Sequence, residues 1–153
     1  MFPKEELVLF IVMFLIALSA DSMNMMVSSP KDIYLSKSLI ISSFYMATNM
    51  IWGHQIVHYF TRGHFDKTIF FFGVCLSMVT LYIMRQQVFI TPRDWLKAMI
   101  PHHSTAITTT SQLLQKKAVN LPINSSIYKL AHTILDTQQK EILAMEHMLQ
   151  GNT

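Results

Sequence analysis

The sequence predicts an all-α protein with three transmembrane helices over residues 1–87 and an antiparallel helical pair over residues 88–153. Apolar residues make up 51% of the chain and charged residues only 14%, and the mean hydropathy is +0.32. The charges are spread unevenly: three long stretches before Arg85 have none, whereas the part after Arg85 alternates polar and apolar residues with helical spacing. This contrast indicates a membrane region followed by an amphipathic helical domain.

The second and third charge-free stretches have lengths that suit membrane spans. Residues 38–61 form a stretch of 24 residues, and residues 68–84 form one of 17. A helix needs about 20 apolar residues to cross a bilayer, with an accepted range of about 17 to 25. Both stretches are therefore predicted to span the membrane.

The first charge-free stretch, residues 7–20, has only 14 residues and allows two interpretations. This length also suits the apolar region of a signal peptide, and small residues near Ala20 could serve as a cleavage site. Glu5 and Glu6 precede the stretch, however, and a signal peptide normally begins with a positive segment. We expect an uncleaved helix, with Asp21 near an interface or facing the bundle because a carboxylate in lipid is costly.

The region after Arg85 contains start and stop signals for two helices. Thr91 can cap the first helix, Pro92 suits its first position, and Asp94 lies in its first turn. We expect this helix over residues 92–117, followed by a turn over residues 118–126 in which Pro122 breaks the helical pattern. Either Asn124 or Ser125 caps a second helix, which ends near Gln150 before Gly151.

Helical periodicity predicts which side chains of this pair face inward. On the first helix, the inward stripe has His102 and His103 on either side of its centre line, whereas Ser104, Thr105 and Thr108 point away. The other members of that stripe are Trp95, Leu96, Met99, Ala106, Thr110, Leu113 and Leu114. On the second helix, the stripe consists of Ile127, Ala131, Ile134, Gln138, Glu141, Ile142, Met145 and Leu149, with His132 and His147 outside it.

Five side chains on these two stripes are typical metal ligands: Met99, His102, His103, Glu141 and Met145. Thioether sulfur selects Cu(I) and imidazole binds copper in either oxidation state, so copper, favoured as Cu(I), is the predicted cofactor, with zinc as an alternative. Methionine on a core stripe is also common as simple filling. We expect Pro101 to bend the helix and so allow both histidines to turn inward.

The second span carries another stripe of potential ligands, which are spaced four residues apart: Met46, Met50, His54 and His58. Such a ladder could pass Cu(I) between sites, and ionisable residues inside a membrane usually have a function. The alternative is general use of methionine in apolar segments, with His58 at the interface. We treat these four residues and Gln138 as auxiliary to the metal site.

The stretches KAMIPHHSTAI and LAHTILDTQQKEILAMEHML resemble the family known as domain of unknown function 305, whose signature is M-x-P-H-H followed by Q-x-x-E-I-x-x-M. The matching residues here are Met99, Pro101, His102, His103, Gln138, Glu141, Ile142 and Met145. The upstream stretches FYMATNM, YFTRGHFDK and IMRQQ resemble a branch of the family with three preceding membrane helices. The resemblance implies a ferritin-like fold and, from several soluble relatives, copper binding or copper tolerance.

Composition and topology limit the partners and the location. The longest basic cluster is Lys116-Lys117, so we expect no nucleic-acid binding. One helical pair buries little surface, so we expect homo-oligomerisation into a four-helix bundle, with the lipid bilayer as the other partner. The positive-inside rule would place the helical domain in the cytoplasm, whereas the resemblance implies an extracytoplasmic domain, which we adopt.

Two classes of function are consistent with the sequence. The first is a membrane protein that binds or handles copper without catalytic turnover. The second is a structural module that packs against a partner helix. An enzyme is a distant third, because the sequence has no recognisable arrangement of a nucleophile and a base.

Overall fold

In a computed structural model that describes residues 4–116, 122–123 and 125–151, all regular structure is helical, which confirms the predicted all-α class. The elements are α1 (Lys4–Ser19), α2 (Ser22–Met25), a 3₁₀ turn (Pro30–Asp32), α3 (Lys37–Arg62), α4 (Lys67–Arg85), α5 (Pro92–Gln115) and α6 (Ser126–Leu149).

The helices form two compact units. The first unit contains α1, α3 and α4, and the second contains α5 and α6 together with residues 22–36. These residues carry α2 and the 3₁₀ turn, and they lie between α1 and α3 in the chain. The helical pair therefore packs with a segment that the sequence analysis assigned to the membrane region.

Among the described residues, two helical segments are long and apolar enough to cross a membrane: Lys4–Met25, with 22 residues, and Lys67–Arg85, with 19. These criteria of length and composition are also met by the buried core helix of a soluble protein and, near an N-terminus, by a signal sequence. Helix α3 has 26 residues but is not among the two, since it carries Asn49, His54, Gln55 and His58. Of the three predicted spans, two are thus supported by composition and α3 is not.

The first unit buries small and weakly polar residues and exposes large apolar ones. A Cβ atom added to Gly73 on α4 would lie 2.9 Å from the backbone nitrogen of Trp52 on α3, so the two backbones approach closely. The hydroxyl of Ser77 donates a hydrogen bond to Thr48 Oγ1 across the same contact, at 3.1 Å. The buried set includes Ser43, Ala47, Thr48, Gly73, Ser77 and Thr80, whereas the exposed set includes Leu7, Ile11, Leu15, Phe71, Phe72 and Val79.

The second unit has an apolar core formed by Ile100, Ile107, Ile142, Met145 and Leu149, although it also exposes large apolar side chains such as Trp95 and Leu130. The predicted helix signals are confirmed at most ends. Thr91 and Asp94 form a reciprocal capping box, Ser125 caps α6, and Gly151 adopts the left-handed conformation with φ of 82°. Most of the predicted turn over residues 118–126, including Asn124, lies outside the described residues.

The buried face of α5 differs from the predicted stripe. Ser104, which was expected to point away, is fully buried and donates a 2.6 Å hydrogen bond to the buried carboxylate of Asp32. Trp95, which was expected to face inward, is 49% exposed. The prediction failed because residues 22–36 cover α5 from a second side and bury Pro101 and Ser104, so the buried face is wider and rotated toward these residues.

Candidate metal centre

The contact that organises the predicted site joins α5 to α6 through His103 and Glu141. His103 Nδ1 lies 2.9 Å from Glu141 Oε2, with the side chains 18% and 48% exposed. The two atoms are within ion-pair distance, but they are not aligned as a hydrogen bond. The structure therefore brings together one imidazole and one carboxylate from the predicted set.

Met99 and Met145 occupy equivalent positions relative to this contact on their two helices. Met99 precedes His103 by four residues on α5, and Met145 follows Glu141 by four residues on α6. Because residues four apart share a helical face, in an antiparallel pair both methionines lie one turn from the His103–Glu141 contact in the same direction. Met145 is buried in the core, and Met99 packs against that core. Two thioether side chains thus lie about one helical turn from the imidazole and the carboxylate.

His102 does not join this group. It is exposed, and its ring centre lies 6.0 Å from that of His103 with the ring planes at 65°. The expectation that both histidines turn inward is wrong for His102, because α5 continues through Pro101 and its buried face is centred on Ile100 and Ser104. His102 lies on the solvent side of the site.

The remaining predicted residues of α6 divide between buried and exposed positions. Gln138 is half-buried one turn before Glu141, whereas Ile127 at the start of the stripe is exposed. His132 and His147 are exposed, as predicted from their positions outside the stripe. The predicted stripe is therefore wider than the surface that α6 buries against α5.

The chemistry of the donors limits which metal the centre suits. Among residues 4–116, 122–123 and 125–151, no three His, Cys, Asp or Glu side chains converge as a potential metal site. A metal between α5 and α6 would therefore need the thioether sulfurs of Met99 and Met145 in addition to His103 and Glu141. Such a mixed sulfur and nitrogen set fits Cu(I) better than a hard cation such as Mg²⁺ or Ca²⁺.

Comparison with known proteins places this helical pair in a family. Residues 83–149 match the model of the family described as domain of unknown function (DUF305). The chain is also 30% identical over 149 residues to the "Uncharacterized protein L153" of Acanthamoeba polyphaga mimivirus, an alignment that covers 95% of this chain and 92% of the viral protein. The chain belongs to the DUF305 family. No solved structure matches the chain.

The DUF305 match contains the whole candidate centre, from Met99 to Met145, and leaves the first unit almost entirely outside. In that unit, the predicted auxiliary stripe on α3 is partly exposed: Met46 is exposed, whereas Met50, His54 and His58 are half-buried. The rings of His54 and His58 are in contact, with their centres 4.0 Å apart and their planes tilted by 52°. The histidine half of the stripe thus forms a local cluster.

The acidic partner of this cluster was not predicted from the sequence. Glu6 on α1 is buried, and its Oε1 atom lies 3.0 Å from His54 Nδ1 and accepts a 2.5 Å hydrogen bond from the amide nitrogen of Gln55. Glu5 and Glu6 were considered only as charges that make a poor signal peptide. An acidic residue at the edge of an apolar span is a signal that could have identified Glu6, because such a residue is costly unless it is paired.

Proposed function

We propose that this DUF305 chain is a membrane-anchored copper-binding protein that holds Cu(I) between α5 and α6. The observation that carries the proposal is the His103–Glu141 contact, in register with Met99 and Met145. Met99, His103 and Met145 would bind the ion, Glu141 would orient the His103 ring, and His102 would lie at the solvent side of the site. Copper bound there would be stored, sensed or passed on without catalytic turnover.

Each proposed ligand has a defined part. Met99 and Met145 supply thioethers, which favour Cu(I) over hard cations. A histidine whose Nδ1 atom faces a carboxylate keeps its Nε2 atom available for a metal, and the carboxylate fixes the ring and raises its basicity. Glu141 would orient His103 in this way. Gln138, half-buried one turn away, would support the carboxylate.

The membrane anchor is supported by the arrangement of the first unit. In a bilayer, lipid surrounds the large apolar side chains, while small residues allow helices to approach closely. The first unit shows both features at Phe71 and Gly73, and α1 and α4 belong to the segments that are apolar enough to span. We include α3 as a third span, with its polar residues facing the other two helices. The α5–α6 domain is proposed to be extracytoplasmic.

A second copy of the chain is proposed to complete a ferritin-like four-helix bundle. Ile127, Leu130 and Met148 share one side of α6 with Glu141, and all four are exposed. A single helical pair leaves this apolar surface uncovered, and two-fold pairing would bury it against its own copy. In detergent, the protein should migrate as a dimer or larger, and a clean monomer that still binds copper would contradict this part of the proposal.

Copper affinity tests the site directly. Purified full-length protein should compete with a Cu(I) chelator, and His103→Ala should remove most of this affinity. His102→Ala should have a smaller effect because His102 is exposed, and His132→Ala serves as a control in an exposed histidine of α6. Unchanged affinity in a folded His102→Ala/His103→Ala double variant would contradict the assignment.

The alternative function is a structural or helix-interaction module, and one observation favours it. His103 and Glu141 already contact each other, and Met145 is part of the apolar core. In this case Glu141→Gln would lower the stability equally with and without copper. In a copper site the same substitution should lower affinity by about 10- to 100-fold, with the loss of stability confined to the copper-bound protein.

A further inference from the structure

Residues 22–36, the connecting segment between α1 and α3, hold α5 through one buried hydroxyl. Ser104 on α5 is fully buried and donates a 2.6 Å hydrogen bond to Oδ2 of Asp32, which is itself only 2% exposed. The Ser104 oxygen accepts a 2.7 Å hydrogen bond from the backbone nitrogen of Ser28. Because a hydroxyl has one proton, the Ser28 hydroxyl is the donor across the 3.0 Å contact between the two serines. Three hydrogen bonds therefore fix this position of α5.

The connecting segment is itself held in place, so it can support α5. The side chain of Asn24 exchanges two hydrogen bonds with the backbone of Tyr34, which closes the segment into a loop. Tyr34 packs against the apolar core of the second unit, and the Lys31 ammonium lies 3.3 Å from the Glu146 carboxylate on α6. The segment thus contacts both helices of the pair.

This support bears on which histidine of α5 faces α6. Successive residues of an α-helix are about 100° apart, so a rotation of α5 about its own axis by that angle would exchange His102 and His103. The core residues Ile100 and Ile107 lie within about 20° of each other around the helix, and such a narrow stripe sets the rotation weakly. Ser104 lies about 40° to 60° beyond that stripe, on the side opposite His103. Its contacts therefore add a second support at a different angle.

We propose that the connecting segment, acting through Ser104, selects His103 rather than His102 as the copper-binding histidine. Ser28 and Asp32 are the positioning residues. The inference rests on the proposed copper site, because the rotation of α5 decides which imidazole is presented to that site. The connecting segment lies outside the part of the chain that matches DUF305, so this support comes from outside the family domain.

The reactivity of the histidines toward diethylpyrocarbonate tests the positioning without copper. In full-length wild type, tandem mass spectrometry should show faster modification of exposed His102 than of His103, whose side chain is 18% exposed. In Asp32→Ala, α5 loses its second support and the two rates should become nearly equal. Ser104→Ala should give the same result and keeps the test valid if Asp32→Ala does not fold, because alanine is a good helix former. An unchanged preference for His102 in these variants would overturn the proposal.

Two further variants separate positioning from a general loss of stability. Asp32→Asn keeps an oxygen that can accept the Ser104 hydrogen bond and should retain the reactivities of wild type. Leu149→Ala removes a buried core side chain about two turns from Glu141, and should lower stability without changing the preference for His102. A loss of preference in Leu149→Ala as large as that in Asp32→Ala would overturn the proposal.

Copper binding gives a second readout, which separates this proposal from the copper site itself. In Asp32→Ala, the affinity for Cu(I) should fall by about 10-fold, the lower end of the effect of residues that orient ligands. Adding His102→Ala to that variant should lower the affinity further. A wild type that binds no Cu(I) but has the expected histidine reactivities would contradict the proposed function. Cu(I) binding in wild type, with unaltered reactivities in Asp32→Ala, would contradict the positioning role alone.

Discussion

The two units of the chain differ in the residues that pack between their helices. The first unit places Ala47, Thr48 and Gly73 between its helices and leaves Phe71 and Phe72 exposed. The second unit buries a core of isoleucine, methionine and leucine, and exposes most of its polar residues. In water, burying apolar surface drives helix association, whereas in lipid close packing and hydrogen bonds take over this role. This difference supports the proposal that the first unit lies in lipid and the second in water.

The largest expected effect comes from truncating a side chain in the apolar core of the second unit. Ile142→Ala should lower the free energy of unfolding of the second unit by about 2 to 5 kcal/mol, because it removes a buried side chain and leaves a cavity. Leu143→Ala, at the exposed neighbouring position, should change it by less than about 0.5 kcal/mol. Chemical unfolding followed by circular dichroism would measure both. Similar losses for the two variants would mean that the unit has no such core.

The next prediction compares the stability cost of losing a hydrogen bond to a carboxylate in the second unit with that of losing a bond between two hydroxyls in the first unit. Ser104→Ala leaves the buried carboxylate of Asp32 without its hydroxyl donor and should cost about 1 to 3 kcal/mol. Ser77→Ala removes a bond between two hydroxyls across α3 and α4, and should cost about 0.6 kcal/mol, the average for such contacts in membranes. A larger loss for Ser77→Ala than for Ser104→Ala would contradict this comparison.

Close helix packing in the first unit predicts a contrast between two glycines. Gly73→Ala places a Cβ atom 2.9 Å from the backbone of Trp52, so α3 and α4 must separate, at a cost of about 1 to 3 kcal/mol for overpacking. At Gly53→Ala, nothing lies within 4 Å of the added Cβ atom, and the helix gains up to about 1 kcal/mol from the better helix former. Thermal stability in micelles would compare the two, and equal shifts would argue against close α3–α4 contact.

The smallest expected effect concerns the start of the helical pair. Thr91→Ala should cost about 1 kcal/mol, because it removes the acceptor of the Asp94 backbone hydrogen bond and breaks the reciprocal cap. Thr109→Ala, in an exposed hydroxyl within α5, provides the control and should be nearly neutral. Chemical denaturation would show the difference as a shift of the midpoint with an unchanged m-value. Equal losses in the free energy of unfolding for Thr109→Ala and Thr91→Ala would contradict a stabilising role of the cap.

The sequence allowed the helices and their ends to be predicted, because these depend on neighbouring residues. Thr91 and Gly151 illustrate this, since a cap or a left-handed stop is decided within one turn. Asp32 with Ser104, and Glu6 with His54, were not predicted. Each pair joins segments far apart in the sequence, and a single buried polar contact leaves no periodic signal. His103 and Glu141 were both predicted as ligands, although periodicity could not separate half-buried His103 from exposed His102.

Copper is proposed to bind between α5 and α6, with sulfur from Met99 and Met145 and nitrogen from His103 as its ligand atoms. X-ray absorption of the full-length protein loaded with one equivalent of Cu(I) measures the ligand atoms directly. We expect a shell with both sulfur and nitrogen, from which the sulfur disappears in a Met99→Leu/Met145→Leu variant of similar side-chain volume. A shell of nitrogen and oxygen alone, unchanged in that variant, would contradict the account.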